Sequence, residues 1–219
     1  MTDYADREPF ELVQPIILLV DREEPAGADH GIAAVALASV QAFMRDPENP
    51  AWPVWAAGAF AKSVRRADAK MFAKVLAAHP EHVLSQVGGA SAAGLPPMPA
   101  QELPKLLAKL QVSGTQLPEG DPLPDAPLRI MLNASLKMST GKSAAQAAHA
   151  LFAWLIEAGQ GSVDAWADAG FPLTVRQLDL TAFVAGQRSA SGPVIQDAGR
   201  TEIEPGSTTA YVVAVLPRS

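Results

Sequence analysis

Sliding the chain against itself by 111 positions brings uncommon residues into register without a gap: Trp55 meets Trp166, Phe60 meets Phe171, and Val64 and Arg65 meet Val175 and Arg176. Asp68 meets Asp179, Phe72 meets Phe183, Val83 meets Val194 and Gly88 meets Gly199. Five alanine pairs bring the total to 13 identities over the 56 positions from 33 to 88. A fixed offset constrains the fold more than any local pattern, because each unit must build the same supersecondary assembly.

Each copy reads alike. A β-rich run (15–20; 128–134) leads into an alanine-rich helix (about 32–44; 143–158). A loop holding the tryptophan follows, then a strand (60–65; 171–177) and a helix opened by Asp68 or Asp179. Aspartate suits that place, since its carboxylate accepts the unpaired first-turn N–H groups. Further strands begin near Val83 and Val194. Alternating strands and helices predict an α/β fold. Two tandem repeats are expected, residues 1–119 and 120–219, each a small mixed β-sheet covered by helices (three-layer α/β/α). Packed on each other, they would form a pseudo-dimer. Gly114 to Pro127, with prolines at 118, 122, 124 and 127, reads as an extended linker rather than a packed element. Residues 100–110 read as a short amphipathic helix with no twin in the second copy.

Composition narrows the chemistry. Without cysteine, the chain has no disulfide, thiolate metal site or thiol nucleophile. His30, His79, His82 and His149 show no ligand spacing, so neither a metal nor another cofactor is expected. The acidic start and the absence of any uninterrupted apolar stretch of spanning length point to a cytoplasmic protein without a membrane segment. A net charge of −6 argues against a generic nucleic-acid clamp, leaving such a partner dependent on a local basic pocket.

Two segments of the second copy carry candidate chemistry. The first runs from Asn133 to His149, strand into helix. Gly141-Lys142-Ser143 suggests a nucleotide loop, but Leu136 stands where that motif needs its first glycine. Ser139 or Thr140 can cap the helix, which puts Lys142 in the first turn, where the helix dipole disfavours a cation. Unpaired N–H groups and a lysine there would attract an anion. Lys142, Gln146 and His149 share one helix face, either as such a site or as a solvated polar stripe. In the second segment, a short apolar stretch, Pro193 to Ile195, runs through Gln196 into Asp197-Ala198-Gly199-Arg200-Thr201. Strand ends are where open α/β sheets place ligands, although an Asx-type turn joining two strands would look the same.

Together the two segments resemble the type 2 (archaeal and eukaryotic class) peptidyl-tRNA hydrolases. The first family motif is matched by Leu136-Lys137-Met138, Gly141-Lys142, Ala145-Gln146 and His149-Ala150. The second is matched by Asp197 to Thr201 with Pro205-Gly206 and Thr209. The resemblance covers 127–219 directly and 14–95 only through the repeat. It implies cleavage of the ester that joins a peptide to the terminal ribose of tRNA. Asp197 and Thr201 would orient or activate water, and Lys142 with the helix N-terminus would stabilise the oxyanion or bind a terminal phosphate. Lys137, Gln146, His149 and Arg200 would bind or position the acceptor end of peptidyl-tRNA. The family commonly carries arginine where Asn133 stands and aspartate where Ser135 stands. That lost charge motivates a second reading, a tRNA- or protein-binding homologue impaired in catalysis.

In the repeat frame, Lys142, Gln146, His149, Asp197 and Thr201 map onto Gly31, Val35, Ala38, Gln86 and Ala90. The first copy thus keeps the tryptophan, Val-Arg and glycine positions while replacing every candidate site residue tested.

Overall fold

The structure, a computed structural model, describes residues 11–197 and 203–215. Its first half contains strands β1 (Leu12–Leu19), β2 (Ala61–Ala67), β3 (Val83–Val87), β4 (Ala90–Gly94) and β5 (Met98–Pro99), with helices α1 (Ala28–Arg45), α2 (Ala51–Ala57), α3 (Ala69–Ala78) and α4 (Lys105–Ala108). The second contains β6 (Leu128–Asn133), β7 (Leu173–Leu178), β8 (Val194–Gln196) and β9 (Thr208–Ala214), with α5 (Thr140–Glu157), α6 (Gln160–Asp168) and α7 (Leu180–Gln187).

Two mixed sheets result, in the orders β2-β1-β4-β3 and β7-β6-β9-β8, with β5 added along β1. In each, the two strands flanking the long helix pair in parallel, Ile16 beside Val64 and Ile130 beside Val175, and the remaining pairings are antiparallel. The fold is therefore mixed α/β with two similar halves. Side chains along β1 alternate between two cores: Ile16 and Leu18 face the large core under α1, whereas Ile17 faces a smaller one with Phe72 and Leu107. A strand covered on both faces has no polar face to show.

Matched positions form matched structure. Trp55 Nε1 donates to the Ala61 carbonyl at 2.7 Å, and Trp166 Nε1 donates to that of Pro172 at 3.0 Å. Phe60 (φ 51°) and Phe171 (φ 60°) both occupy the left-handed region, which costs a bulky residue about 1–2 kcal/mol. Each ring packs against its tryptophan, Phe60 tilted with centroids 4.4 Å apart and Phe171 edge-to-face at 5.0 Å. Asp68 accepts from Met71 N at 2.8 Å and Asp179 from Ala182 N at 2.9 Å, so both are N-caps.

The long helices α1 and α5 pack together in the middle of the molecule, and one apolar core runs through both sheets. Both helices are rich in fully buried alanines, among them 34, 38, 144 and 148, and small side chains let packed elements approach closely. α1 also lies close on its own sheet, since a Cβ at Gly94 of β4 would lie 2.0 Å from the Ala38 carbonyl oxygen.

Three local expectations need correction. Each tryptophan lies in a helix, α2 or α6, not a loop; its ring is an apolar anchor at the helix end, and Pro53 falls in the first turn of α2, where no N–H is required. Residues 100–110 do not form one helix, because Pro104 separates a 3₁₀ turn (Ala100–Glu102) from α4. The 114–127 stretch has no regular structure but is packed: Thr115, Leu117 and Leu123 are buried, and the Leu123 and Pro124 carbonyls accept from Arg176 and Thr174. Among the described residues no helix is long and apolar enough to cross a membrane.

Candidate active site

α5 begins where its sequence stops favouring other structure. Ser139 caps it, its Oγ accepting from Lys142 N at 3.2 Å. The expected cluster of unpaired N–H groups is absent at this end. Thr140 N donates to Gln116 Oε1 at 3.3 Å, and Gly141 N donates to the Thr115 carbonyl at 3.2 Å. The segment that read as a linker closes the helix end, so attraction for an anion falls to side chains.

Those side chains converge. Lys142 Nζ donates to Asp197 Oδ1 at 2.5 Å, and Gln146 Nε2 donates to the same oxygen at 2.8 Å. Gln146 is itself oriented, its Oε1 accepting from Thr209 Oγ at 2.8 Å. Asp197 follows β8 and is fixed on its main chain as well, N to the Ser207 carbonyl at 2.9 Å and O from Gly206 N at 2.8 Å. The pair is nearly dry, with side-chain exposures of 12% for Lys142 and 5% for Asp197. Burying two charges costs more than an exposed pair returns unless further hydrogen bonds complete it, as Gln146 does here.

A pocket of about 830 Å³ opens over this pair. Lys142, Gln146 and Asp197 form its polar side; Val194 and Ile195 belong to the second half, Phe60, Lys62 and Val64 to the first. His149 lines it too, its ring 5.4 Å from that of Phe60. Burial, then the charges of Lys62 and Lys142, holds the imidazole pKa well below its usual 6.5. His149 is thus neutral at physiological pH, suited to hydrogen bonding rather than charge.

Of the remaining residues expected here, Lys137 ends a 3₁₀ turn after β6 in the left-handed conformation (φ 50°) and is exposed, away from the pocket lining. Arg200 and Thr201 lie outside the described residues. Asn133 and Ser135 bond each other: Asn133 Oδ1 accepts from Ser135 N at 3.1 Å and from its Oγ at 2.6 Å, while Asn133 Nδ2 donates to the Thr208 carbonyl at 3.3 Å. Sequence reasoning left out Phe60 and Lys62, which come from the first half. The signal for Lys62 was its twin, Leu173, an apolar core residue at the same place in the other sheet. The described residues include no group of three or more His, Asp or Glu side chains able to hold a metal.

A buried lysine–carboxylate pair and a neutral imidazole thus share one pocket at a strand end. The family description "Peptidyl-tRNA hydrolase PTH2" matches residues 127–219. A peptidyl-tRNA hydrolase of Metallosphaera sedula is 36% identical over 91 aligned positions, covering 36% of this chain and 78% of that protein. One of Sulfolobus acidocaldarius is 33% identical over 96, covering 37% of this chain and 80% of its own length. The chain belongs to the peptidyl-tRNA hydrolase PTH2 family, and the match lies in its second half.

Proposed function

We propose that the second half hydrolyses peptidyl-tRNA, releasing the peptide from the terminal ribose. The observation that carries this reading is the Lys142–Asp197–Gln146 cluster, which lies inside the family-matched segment and opens onto the pocket. Water attacks the ester carbonyl while Asp197, with Thr201, orients it and takes its proton. The oxygen of the carbonyl becomes an oxyanion beside Lys142, and collapse of that intermediate breaks the bond to the ribose oxygen, which takes the proton back from Asp197 and leaves as the hydroxyl. Gln146 and His149 hold the carboxylate and the substrate, and Arg200 and Lys137 meet the nucleic acid. This work belongs to the cytoplasm, where translation takes place. The first half is a copy of the same unit that has lost its site, the units being 1–119 and 120–219 and their packing a pseudo-dimer. The 111-residue frame and the matched sheet orders support that origin.

In purified protein mixed with an N-acetylaminoacyl-tRNA, wild type is expected to release the acyl group. Lys142→Ala and Asp197→Asn should each lower kcat roughly 10²–10³-fold, while melting curves check that the variants remain folded. No release by the wild type, or release unaffected by both changes, would sink the reading. A second reading, binding without turnover, draws on the Asn133–Ser135 bond, which puts two neutral residues where the family commonly carries charge. Under it, the same tRNA binds and is recovered intact.

A further inference from the structure

Lys62 stands at odds with its surroundings. It sits on β2 beside Gln14 of β1, and its repeat counterpart is the buried Leu173. The scaffold therefore does not call for a lysine here. Its Nζ is buried and has no hydrogen-bond partner among the described residues. Three rings surround it instead: Phe60 with its centroid at 3.6 Å, Trp55 at 4.3 Å and Phe152 at 4.9 Å. Phe152 belongs to α5, so the amine is boxed in by both halves. Cation–π contact recovers only part of what leaving water costs an ammonium, and burial accordingly holds the Lys62 pKa well below 10.5.

Position gives this expensive group a use. Lys62 lines the same pocket as Lys142, His149 and Asp197. Within that pocket the charge of Lys142 is matched by Asp197 at 2.5 Å, so that pair brings no net charge to an incoming anion. A second amine in a water-poor aromatic wall supplies what is missing, because an ion pair strengthens as water is excluded.

We propose that Lys62 is a substrate-binding residue lent by the first half to the site of the second, its ammonium receiving an anionic oxygen of the bound substrate. The proposal rests on the reading of this pocket as the peptidyl-tRNA site. That oxygen belongs either to the phosphate beside the terminal adenosine or to a carboxylate on the acyl group. The first half, on this account, completes the pocket rather than merely shielding it.

Calorimetry on the full chain separates these sources, with AMP as the phosphate probe, N-acetylaspartate as the carboxylate probe and adenosine as the uncharged control. Lys62→Met should weaken one anionic probe at least ten-fold and leave adenosine unchanged, with Lys62→Arg restoring part of the loss. Weakened AMP assigns the phosphate; weakened N-acetylaspartate assigns the carboxylate. Lys62→Met should also melt at a higher temperature, since it removes an unpaired buried amine. Failure of wild type to bind either anion, affinities unmoved by Lys62→Met, or a lower melting temperature (the mark of a merely structural lysine) would overturn the proposal. Deacylation measured alongside keeps the two readings apart. Wild-type turnover with an unchanged KM in Lys62→Met sinks the role of Lys62 alone, whereas Lys62-dependent anion binding without turnover sinks the hydrolase reading alone.

Discussion

In the first half the hairpin between β3 and β4 turns on Gly88 and Gly89, while in the second the connection between β8 and β9 spans residues 197–207. Gly88 has a φ of 55°, and a Cβ there would lie 2.7 Å from the His30 ring, so helix α1 closes directly over the turn. At the matching place in the second half, Asp197 leaves the strand buried and faces Lys142 and Gln146 of α5. Its counterpart Gln86 is exposed and donates to Ser91 Oγ, at 3.3 Å. The same strand order thus supports a tight turn in one half and a carboxylate in a pocket in the other. The tryptophan hydrogen bond, left-handed phenylalanine and aspartate cap recur in both halves, whereas the Lys142–Asp197–Gln146 cluster belongs to the second.

That contrast can be broken at several depths. After the charged pair itself, the largest effect is expected at Gln146→Leu, which removes one donor to Asp197 and leaves Thr209 Oγ only the Ile195 carbonyl as acceptor among the described residues. Losing a hydrogen bond to a buried charge costs about 2 kcal/mol, roughly thirty-fold in kcat. The equivalent change in the first half, Val35→Leu, should leave turnover within two-fold, as read in the same deacylation assay. Equal losses from both variants would mean that packing of the long helices, and not the carboxylate's partners, sets the rate.

A smaller effect concerns pH. The unfolded chain binds the proton that the buried His149 imidazole refuses, so protonation favours unfolding. Stability is expected to fall as pH drops below 6.5, the ordinary value for histidine. His149→Gln should flatten that decline in melting curves collected across the acid range. A decline unchanged by His149→Gln would show that the pocket does not hold the ring neutral.

The smallest effect tests the likeness rather than the difference. Asp68→Ala and Asp179→Ala each remove an N-cap, and each is expected to cost about 1 kcal/mol, or 2–4 °C in Tm for a chain of this size. Matching shifts would support one scaffold used twice. A shift in one half only would mean that the caps have diverged in weight.

Much of this was legible in the sequence, for reasons that are local or periodic. The strands and long helices follow from apolar runs and alanine spacing, and Lys142 and Gln146 share a face because a helix repeats every 3.6 residues. Asp197 at a strand end was visible from Pro193-Val-Ile followed by a glycine turn. What escaped depends on distant segments meeting. Nothing near Gly141 announces that Thr115 and Gln116 occupy the N-terminal N–H groups of α5. Lys62 reads as one charge on a strand until α5 brings Phe152 over it. Thr209 belonged to a recognised motif, but its role as the partner of Gln146 needed the β9–α5 contact.

The central claim is that two positions matched by the repeat differ in kind, one carrying the chemistry and one not. Single-turnover deacylation of N-acetylaminoacyl-tRNA by Asp197→Asn and by Gln86→Leu measures this directly. The account predicts a loss of roughly 10²–10³-fold for Asp197→Asn and a rate within two-fold of wild type for Gln86→Leu. Comparable rates from the two variants, whether both impaired or both intact, would contradict it.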